Sequence, residues 1–442
     1  MVFPRVLLYN VLFIPAFILL MPFYIIKQVR RGGLSRAYRE RFGWFGREKK
    51  ERLRALDRPV WIHAVSVGEA VAAVTLIREW RTKNPARSFV LSTTTTTGHA
   101  LAEKRLPEGV PLIYFPIDCF AFMWRAVRLI RPSLVLLLEV EIWPNLIWLA
   151  SWHEASLVLA NGRLSERSAA RYVRHRWFFQ DIFRRFSLLC VQTDTDAARV
   201  RSAYGGTGAP VLVSGTMKFD QVPDRGGGDR EALLRRAFGE GERRIFTAGS
   251  THPGEEELAL DAFGAVRSVE DKLKLVLAPR HHERTPQVEA LLQRRGISYA
   301  RYTDCADSAA AAPDGGAGVD VLLVNTTGEL MNLYAVSDAV FVGKSLAGNV
   351  GGHNIIEPAI FGKPILHGPN MDNFRTVTHL FQRANACVQV ENGEELERQL
   401  RELLTDKGRA EKLGERARQV VDEGRGASEL TAAECEKLLE SA

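Results

Sequence analysis

The sequence predicts an α/β protein of two domains, each a parallel sheet with helices on both faces. Three observations predict it. Short apolar runs alternate with amphipathic stretches along most of the chain, the pattern of repeated strand–helix units. A charged, glycine-rich stretch without apolar positions, "DQVPDRGGGDREA" from Asp220, divides the alternation into two series and reads as a linker. The length, 442 residues, suits two or three domains.

The first element is an apolar run. Leu7 to Ile26, "LLYNVLFIPAFILLMPFYII", holds twenty residues without a charge. At 1.5 Å per residue such a helix is ~30 Å long, about one hydrocarbon thickness. Pro15 and Pro22 kink it, so it either spans a bilayer or lies partly embedded in one. No small-residue cleavage site follows it, which argues against a signal peptide. Lys27, Arg30, Arg31, Arg36, Arg39 and Arg41 follow it and only Arg5 precedes it, which puts the bulk of the chain on the cytoplasmic side. Removal of residues 1–26 is expected to leave the sheets folded.

The strands come next. "PVWIHAV" (59–65), "SFVLSTT" (88–94), "SLVLLLEV" (133–140), "SLVLAN" (156–161) and "LLCVQT" (188–193) form the first series. "RIFTAGS" (244–250), "LKLVLAP" (273–279), "DVLLVN" (320–325), "DAVFVG" (338–343) and "KPILHG" (363–368) form the second. Their apolar character on both faces marks buried parallel strands. Between them lie helical stretches such as Ala70–Thr82 and Trp177–Phe186.

Composition sets the chemistry. With 46% apolar and 25% charged residues the chain builds sizeable cores and is not disordered. A net charge of +7 favours anionic partners such as a nucleotide or an acidic lipid surface. No basic-aromatic motif points to nucleic acid. The five cysteines are scattered, with no CxxC pair, so a structural zinc is not expected and the thiols stay reduced.

Ligands of doubly wound sheets sit beyond the carboxyl ends of the strands, and the cleft between two such domains is the default site. Polar groups gather there: Glu69 after 59–65, Glu139 and Glu141 after 133–138, Lys218 after the short run 211–213, Arg280 after 273–279, and Thr327–Glu329 after 320–325. "GGHNIIEPAIFGKP" adds Gly351 and Gly352 before an apolar segment. Either this turn and the helix behind it hold an anion, or it is a tight connection with Asn354 as N-cap.

Read together, "WIHAVSVGEA", "PSLVLLLEVEIWPNL", "NGRLSERSAARY", "SGTMKFD", "STHPGEEE", "LAPRHHER", "TGELMNLYAVSDAVFVG" and "GGHNIIEPAIFGKPILHGP" resemble the bacterial Kdo transferases. Those membrane-anchored enzymes of lipopolysaccharide biosynthesis move 3-deoxy-D-manno-octulosonic acid (Kdo) from CMP-Kdo onto the lipid A precursor, lipid IVA. The match runs to about residue 375, in the family's order. It implies a GT-B glycosyltransferase, with two Rossmann-like domains facing a cleft, an inverting transfer, and no required metal or other cofactor. It implies an anchor over 1–30, an acceptor-binding domain over 31–222, and a CMP-sugar-binding domain over 223–442 that includes the C-terminal helices. It further implies CMP-Kdo, the lipid A precursor and inner-membrane lipids as partners, no nucleic acid, and catalytic domains on the cytoplasmic side of the inner membrane.

Carried over by position, Glu69 matches the family's proton acceptor, and Glu139 and Lys218 match residues that stabilise the transition state. Pro279, Arg280, Thr327, Gly328, Glu329, Asn354, Ile355, Ile356 and Glu357 match the CMP-contacting segments. Lys344, Val350, Gly162 and Asn325–Thr327 depart from the family's usual wording without removing any of these groups.

Each group also has a purely structural reading. Glu69 suits a helix N-terminus, worth ~0.3–1 kcal/mol there. Glu139 and Glu141 share a face if the strand continues and part if it turns. Lys218 and Arg280 suit solvated surfaces. His281 and His282 are adjacent and point apart, which disfavours a metal. Thr193 or Asp194 in "QTDTD", and the threonines of Thr93–Thr97, suit helix caps. The rival functions are a UDP-sugar transferase or epimerase of the same build, and a non-catalytic nucleotide-binding scaffold.

Overall fold

A computed structural model describes residues 3–29, 36–139, 141–205, 208–221, 230–306 and 318–441. Most of the linker expected from Asp220 lies outside them. The chain forms two compact units, Met1–Gln221 with Arg425–Ala442, and Val222–Gly424.

The first unit is a seven-stranded parallel sheet in the order β3-β2-β1-β4-β5-β6-β7. The strands are β1 (Val60–Ala64), β2 (Phe89–Thr93), β3 (Leu112–Tyr114), β4 (Leu134–Leu138), β5 (Ser156–Gly162), β6 (Leu188–Val191) and β7 (Val211–Val213). Alternation within β1 shows why both faces are covered. Trp61 enters one core with Trp148 and Phe183, while Val60, Ile62 and Ala64 enter another with Leu76, Ile77 and Trp80. The sheet switches direction between β1 and β4, which pair from Val60↔Leu134 to His63↔Leu137.

The second unit is another seven-stranded parallel sheet, β10-β11-β9-β8-β12-β13-β14. Its strands are β8 (Arg244–Thr251), β9 (Leu273–Pro279), β10 (Tyr299–Arg301), β11 (Val321–Leu323), β12 (Ala339–Val342), β13 (Ile365–His367) and β14 (Val388–Gln389). Leu275 and Leu277 face one core and Val276 and Ala278 the other. The switch lies between β8 and β12, paired from Ala339↔Phe246 to Val342↔Gly249.

Two expectations are corrected. The last helix, Ala427–Glu440, belongs to the first unit and not to the nucleotide-binding one. Ala427, Ala432 and Cys435 complete the core behind the helix Val67–Lys83, and Asp220 accepts bonds from the N–H groups of Gly426 and Ser428 at 2.8 and 2.7 Å.

The N-terminal run, expected as a separate anchor, also packs against the first unit. It forms one helix, Phe3–Val29, whose Val6 is buried in the first unit's core. Tyr9 donates to Asp118 at 3.0 Å and Asn10 to the Asn145 side chain at 2.8 Å. Its other face exposes Leu7, Leu8, Val11, Leu12, Ile14, Ile18 and Leu19. Among the described residues no helix is long and apolar enough to cross a membrane. Arg41 does not reach outward either. It is buried, donates to the Thr94 carbonyl at 2.5 Å and stacks over Tyr114.

Candidate active site

The first unit gathers its charged groups at the β1/β4 switch point, where a doubly wound sheet binds ligands. Ser66 caps the helix after β1, and Glu69 returns the favour. Its two carboxylate oxygens accept from the N–H groups of Val65 and Ser66 at 2.8 and 3.1 Å, while its own N–H donates to the Ser66 hydroxyl. The helix-end reading of Glu69 is therefore realised as a capping box. The residue is only 5% exposed, and each carboxylate oxygen keeps a further lone pair.

Glu139 follows β4 in a left-handed conformation, φ 56°, which ends the strand and the shared face it would have given Glu141. Burial, then the charge of Glu69, pushes the Glu139 carboxyl up, while Lys218 and Arg163 pull it down. Glu141 rises to about 7, through burial and then the charges of Glu69 and Glu139. Lys218 lies in the turn after β7. Asn161, in the left-handed region at φ 54°, accepts from the Met217 N–H at 3.1 Å and fixes that turn. Burial lowers the Lys218 ammonium, Glu139 raises it and Arg163 lowers it. Three carboxylates and two cations thus form one coupled set. The strand-end reading stopped β5 at residue 161; the strand runs to Gly162, and Arg163 is the first residue beyond it.

In the second unit β9 ends at Pro279, which is buried, and Arg280 follows it exposed, its N–H bonded to the Thr251 carbonyl at 3.0 Å. Across the β8/β12 switch, Glu255 is fully buried. It accepts four N–H bonds, from His252, Lys344, Ser345 and Leu346, at 2.7–2.9 Å. This carboxylate fixes the loop after β12. His252 and His353 meet Nε2 to Nε2 at 3.1 Å, and His281 packs edge-on against His252. Burial holds His252 down to about 4 and His353 to about 3, and Arg280 and Lys344 add to both. The result is a cationic patch at the carboxyl end of the sheet. Sequence reading missed Glu255, His252 and His353, whose roles appear only once β8 and β12 are neighbours.

The glycine turn departs from the reading of Asn354 as a helix N-cap. Gly351 and Gly352 adopt φ of 121° and 66°, and a Cβ on Gly352 would lie 2.3 Å from the Met371 sulfur. The helix after it, Ile356–Ala359, has only four residues, and Asn354 is not its cap. Asn354 accepts from the Ile356 N–H at 3.1 Å and donates to Glu357 at 3.2 Å. Burial raises Glu357, while Asn354 and Arg280 lower it. Ile355 and Ile356 are core residues. Glu329 accepts from the Tyr302 hydroxyl at 2.7 Å, beside exposed Thr327 and Gly328. Thr193 and Thr95 are helix caps. Among the described residues no three His, Cys, Asp or Glu side chains gather as a metal site.

A family model described as 3-deoxy-D-manno-octulosonic-acid transferase (kdotransferase) matches residues 36–221. The 3-deoxy-D-manno-octulosonic acid transferase of Haemophilus influenzae is 32% identical over 397 residues, covering 88% of each chain. The chain belongs to the Kdo transferases. This Kdo transferase is also 29% identical over 356 residues to a bifunctional glycosyltransferase/methyltransferase of Fusobacterium nucleatum, spanning 80% of this chain and 54% of that one. A UDP-GlcNAc 2-epimerase from Neisseria meningitidis shares the fold at 12% identity, with a TM-score of 0.58 over 86% of this chain and all of that one. The Kdo transferase is thus a glycosyltransferase built of two parallel-sheet α/β domains of the GT-B kind.

Proposed function

We propose that this Kdo transferase moves Kdo from CMP-Kdo to a sugar hydroxyl of the lipid A precursor, lipid IVA, in lipopolysaccharide biosynthesis. The observation that carries the reading is the placement of Glu69, Glu139, Glu141, Arg163 and Lys218 beyond the carboxyl ends of β1, β4, β5 and β7 of one parallel sheet, close enough for their charges to act on one another. An alcohol is a poor nucleophile until its proton is taken. In this reading Glu69 accepts the hydroxyl proton as the oxygen bonds to the Kdo anomeric carbon. The bond from that carbon to the CMP phosphate oxygen breaks, and CMP leaves with its electron pair. Glu139 and Lys218 balance the developing charge.

Arg280, the Thr327–Glu329 turn and Asn354–Glu357 would hold the nucleotide in the second unit. A planar guanidinium suits paired phosphate oxygens, and an acid such as Glu357 suits ribose hydroxyls, as in other nucleotide folds. The exposed apolar face of the N-terminal helix supports attachment to the inner membrane, with the charge asymmetry favouring its cytoplasmic side. Incubation with CMP-Kdo and the lipid acceptor tests the function. CMP release that depends on the acceptor, with a Kdo-extended lipid by mass, is the expected result. CMP binding without turnover would leave a scaffold, and turnover of a UDP-sugar instead would point to the epimerase-like build.

A further inference from the structure

One depression in the first unit has no part in the chemistry above. It is a cavity of about 600 Å³ beside the helix Phe120–Ile130, lined by Trp44, Trp124, Lys50, Arg54, Arg125, Arg128 and Arg131 and by no acid. None of its five cations forms an ion pair among the described residues. The helix buries Met123, Ala126, Val127 and Ile130 and turns Trp124, Arg125 and Arg128 outward. Arg128 lies over the Trp124 ring at 4.6 Å and Arg125 over Trp44 at 5.0 Å. Trp44 is brought there by Gly43, at φ 71°, where a Cβ would sit 2.6 Å from the Phe122 carbonyl oxygen. Two tryptophans remain 39% and 56% exposed, a costly display of apolar surface unless something covers it.

The same helix ties this cavity to the N-terminal one. Its first residue, Phe120, is exposed, packs edge-on against exposed Trp152, and donates its N–H to the Asn10 side chain at 3.3 Å. Phe120 thus joins the N-terminal helix, with its exposed leucines and isoleucines, to the helix that carries Trp124 and the guanidinium groups of Arg125 and Arg128. Aliphatic, then indole, then arginine is the order in which a bilayer presents acyl chains, the interface and phosphates. We infer that this cavity is a binding site for the phosphate headgroup of an anionic phospholipid, seating the first unit on the membrane surface. The inference rests on the membrane reading above. The headgroup it takes is not the reacting acceptor. Arg54 and Arg131 precede the amino ends of β1 and β4, whereas Glu69 and Glu139 follow their carboxyl ends.

The test is sedimentation of the full chain with phosphatidylcholine vesicles, with and without phosphatidylglycerol. Each cation near an anionic surface contributes about fivefold in binding. The double variant Arg125→Gln/Arg128→Gln is therefore expected to lose roughly 25-fold of the phosphatidylglycerol-dependent binding, while pure phosphatidylcholine binding and CMP affinity stay unchanged. Trp124→Ala is expected to weaken both kinds of vesicle. If the double variant keeps wild-type affinity for phosphatidylglycerol vesicles, the site is refuted while membrane attachment stands. If the wild type sediments with neither vesicle, the membrane reading falls and the site with it. Displacement from vesicles by inorganic phosphate, at matched ionic strength, would show a soluble-anion site and overturn the assignment.

Discussion

Glu141 and the histidine pair show how single residues respond to their surroundings. Glu141 titrates near 7 in the fold against an ordinary 4.5. Above about 4.5 the unfolded chain has lost a proton that the folded one keeps, so this group's contribution to stability falls as pH rises through 7. Glu141→Gln is expected to unfold at a higher temperature than the wild type at about pH 8, with the difference gone at about pH 4. Calorimetric melts at both pH values check it. His252 and His353 run the other way. The unfolded imidazoles take protons below about 6.5, the folded ones only near 4 and 3, so acid destabilises this cluster. A bound phosphate favours the charged rings. CMP is therefore expected to bind with proton uptake at about pH 6, seen by calorimetry in two buffers of different ionisation enthalpy. His353→Asn should take up fewer protons. Arg280→Ala is expected to weaken CMP at least tenfold, about what one hydrogen bond to a charged group contributes, and unchanged affinity would remove Arg280 from the nucleotide site.

At the scale of elements, the two ends of the chain bear on the first unit's stability. Glu436, on the final helix, accepts from Arg87 at 2.6 and 3.0 Å and from Asn84 and Trp80. Truncation after Gly424 uncovers Ala427, Ala432 and Cys435 and strands those donors, at roughly 3 kcal/mol or more. Chemical denaturation should report this loss as early unfolding, and an unchanged midpoint would mean the helix is dispensable. Removal of residues 1–26 is likewise expected to destabilise, because Val6 leaves the core and Asp118 loses Tyr9. The central strands were legible because buried parallel strands are apolar on both faces. The sequence reading left out β3, β10 and β14, which hold two or three residues each and lie at or toward sheet edges. So little apolar length carries no periodicity to read. The last helix was placed in the wrong unit because an amphipathic pattern states that a face is buried, not against what.

For the whole molecule, the chemistry of the first unit was more legible than its geometry. Glu69, Glu139 and Lys218 were among the polar groups that follow strands, and the resemblance to the Kdo transferases singled them out from the rest. Their mutual coupling, and the part of Arg163, depends on the strand order β1-β4-β5-β6-β7, which no local pattern encodes. Glu69 carries the central claim and also the capping box, so its substitution has to separate chemistry from folding. Glu69→Gln keeps one acceptor oxygen and removes the base. It is expected to cost ~1 kcal/mol of stability through the weakened cap, which a melt will show. The direct test measures acceptor-dependent CMP release and CMP affinity for this variant beside the wild type. Turnover is expected to fall ~10²–10⁴-fold. CMP affinity should stay unchanged, since the groups proposed to hold the nucleotide belong to the second unit. A folded Glu69→Gln variant with near-normal turnover would contradict the account and pass the role of base to Glu139.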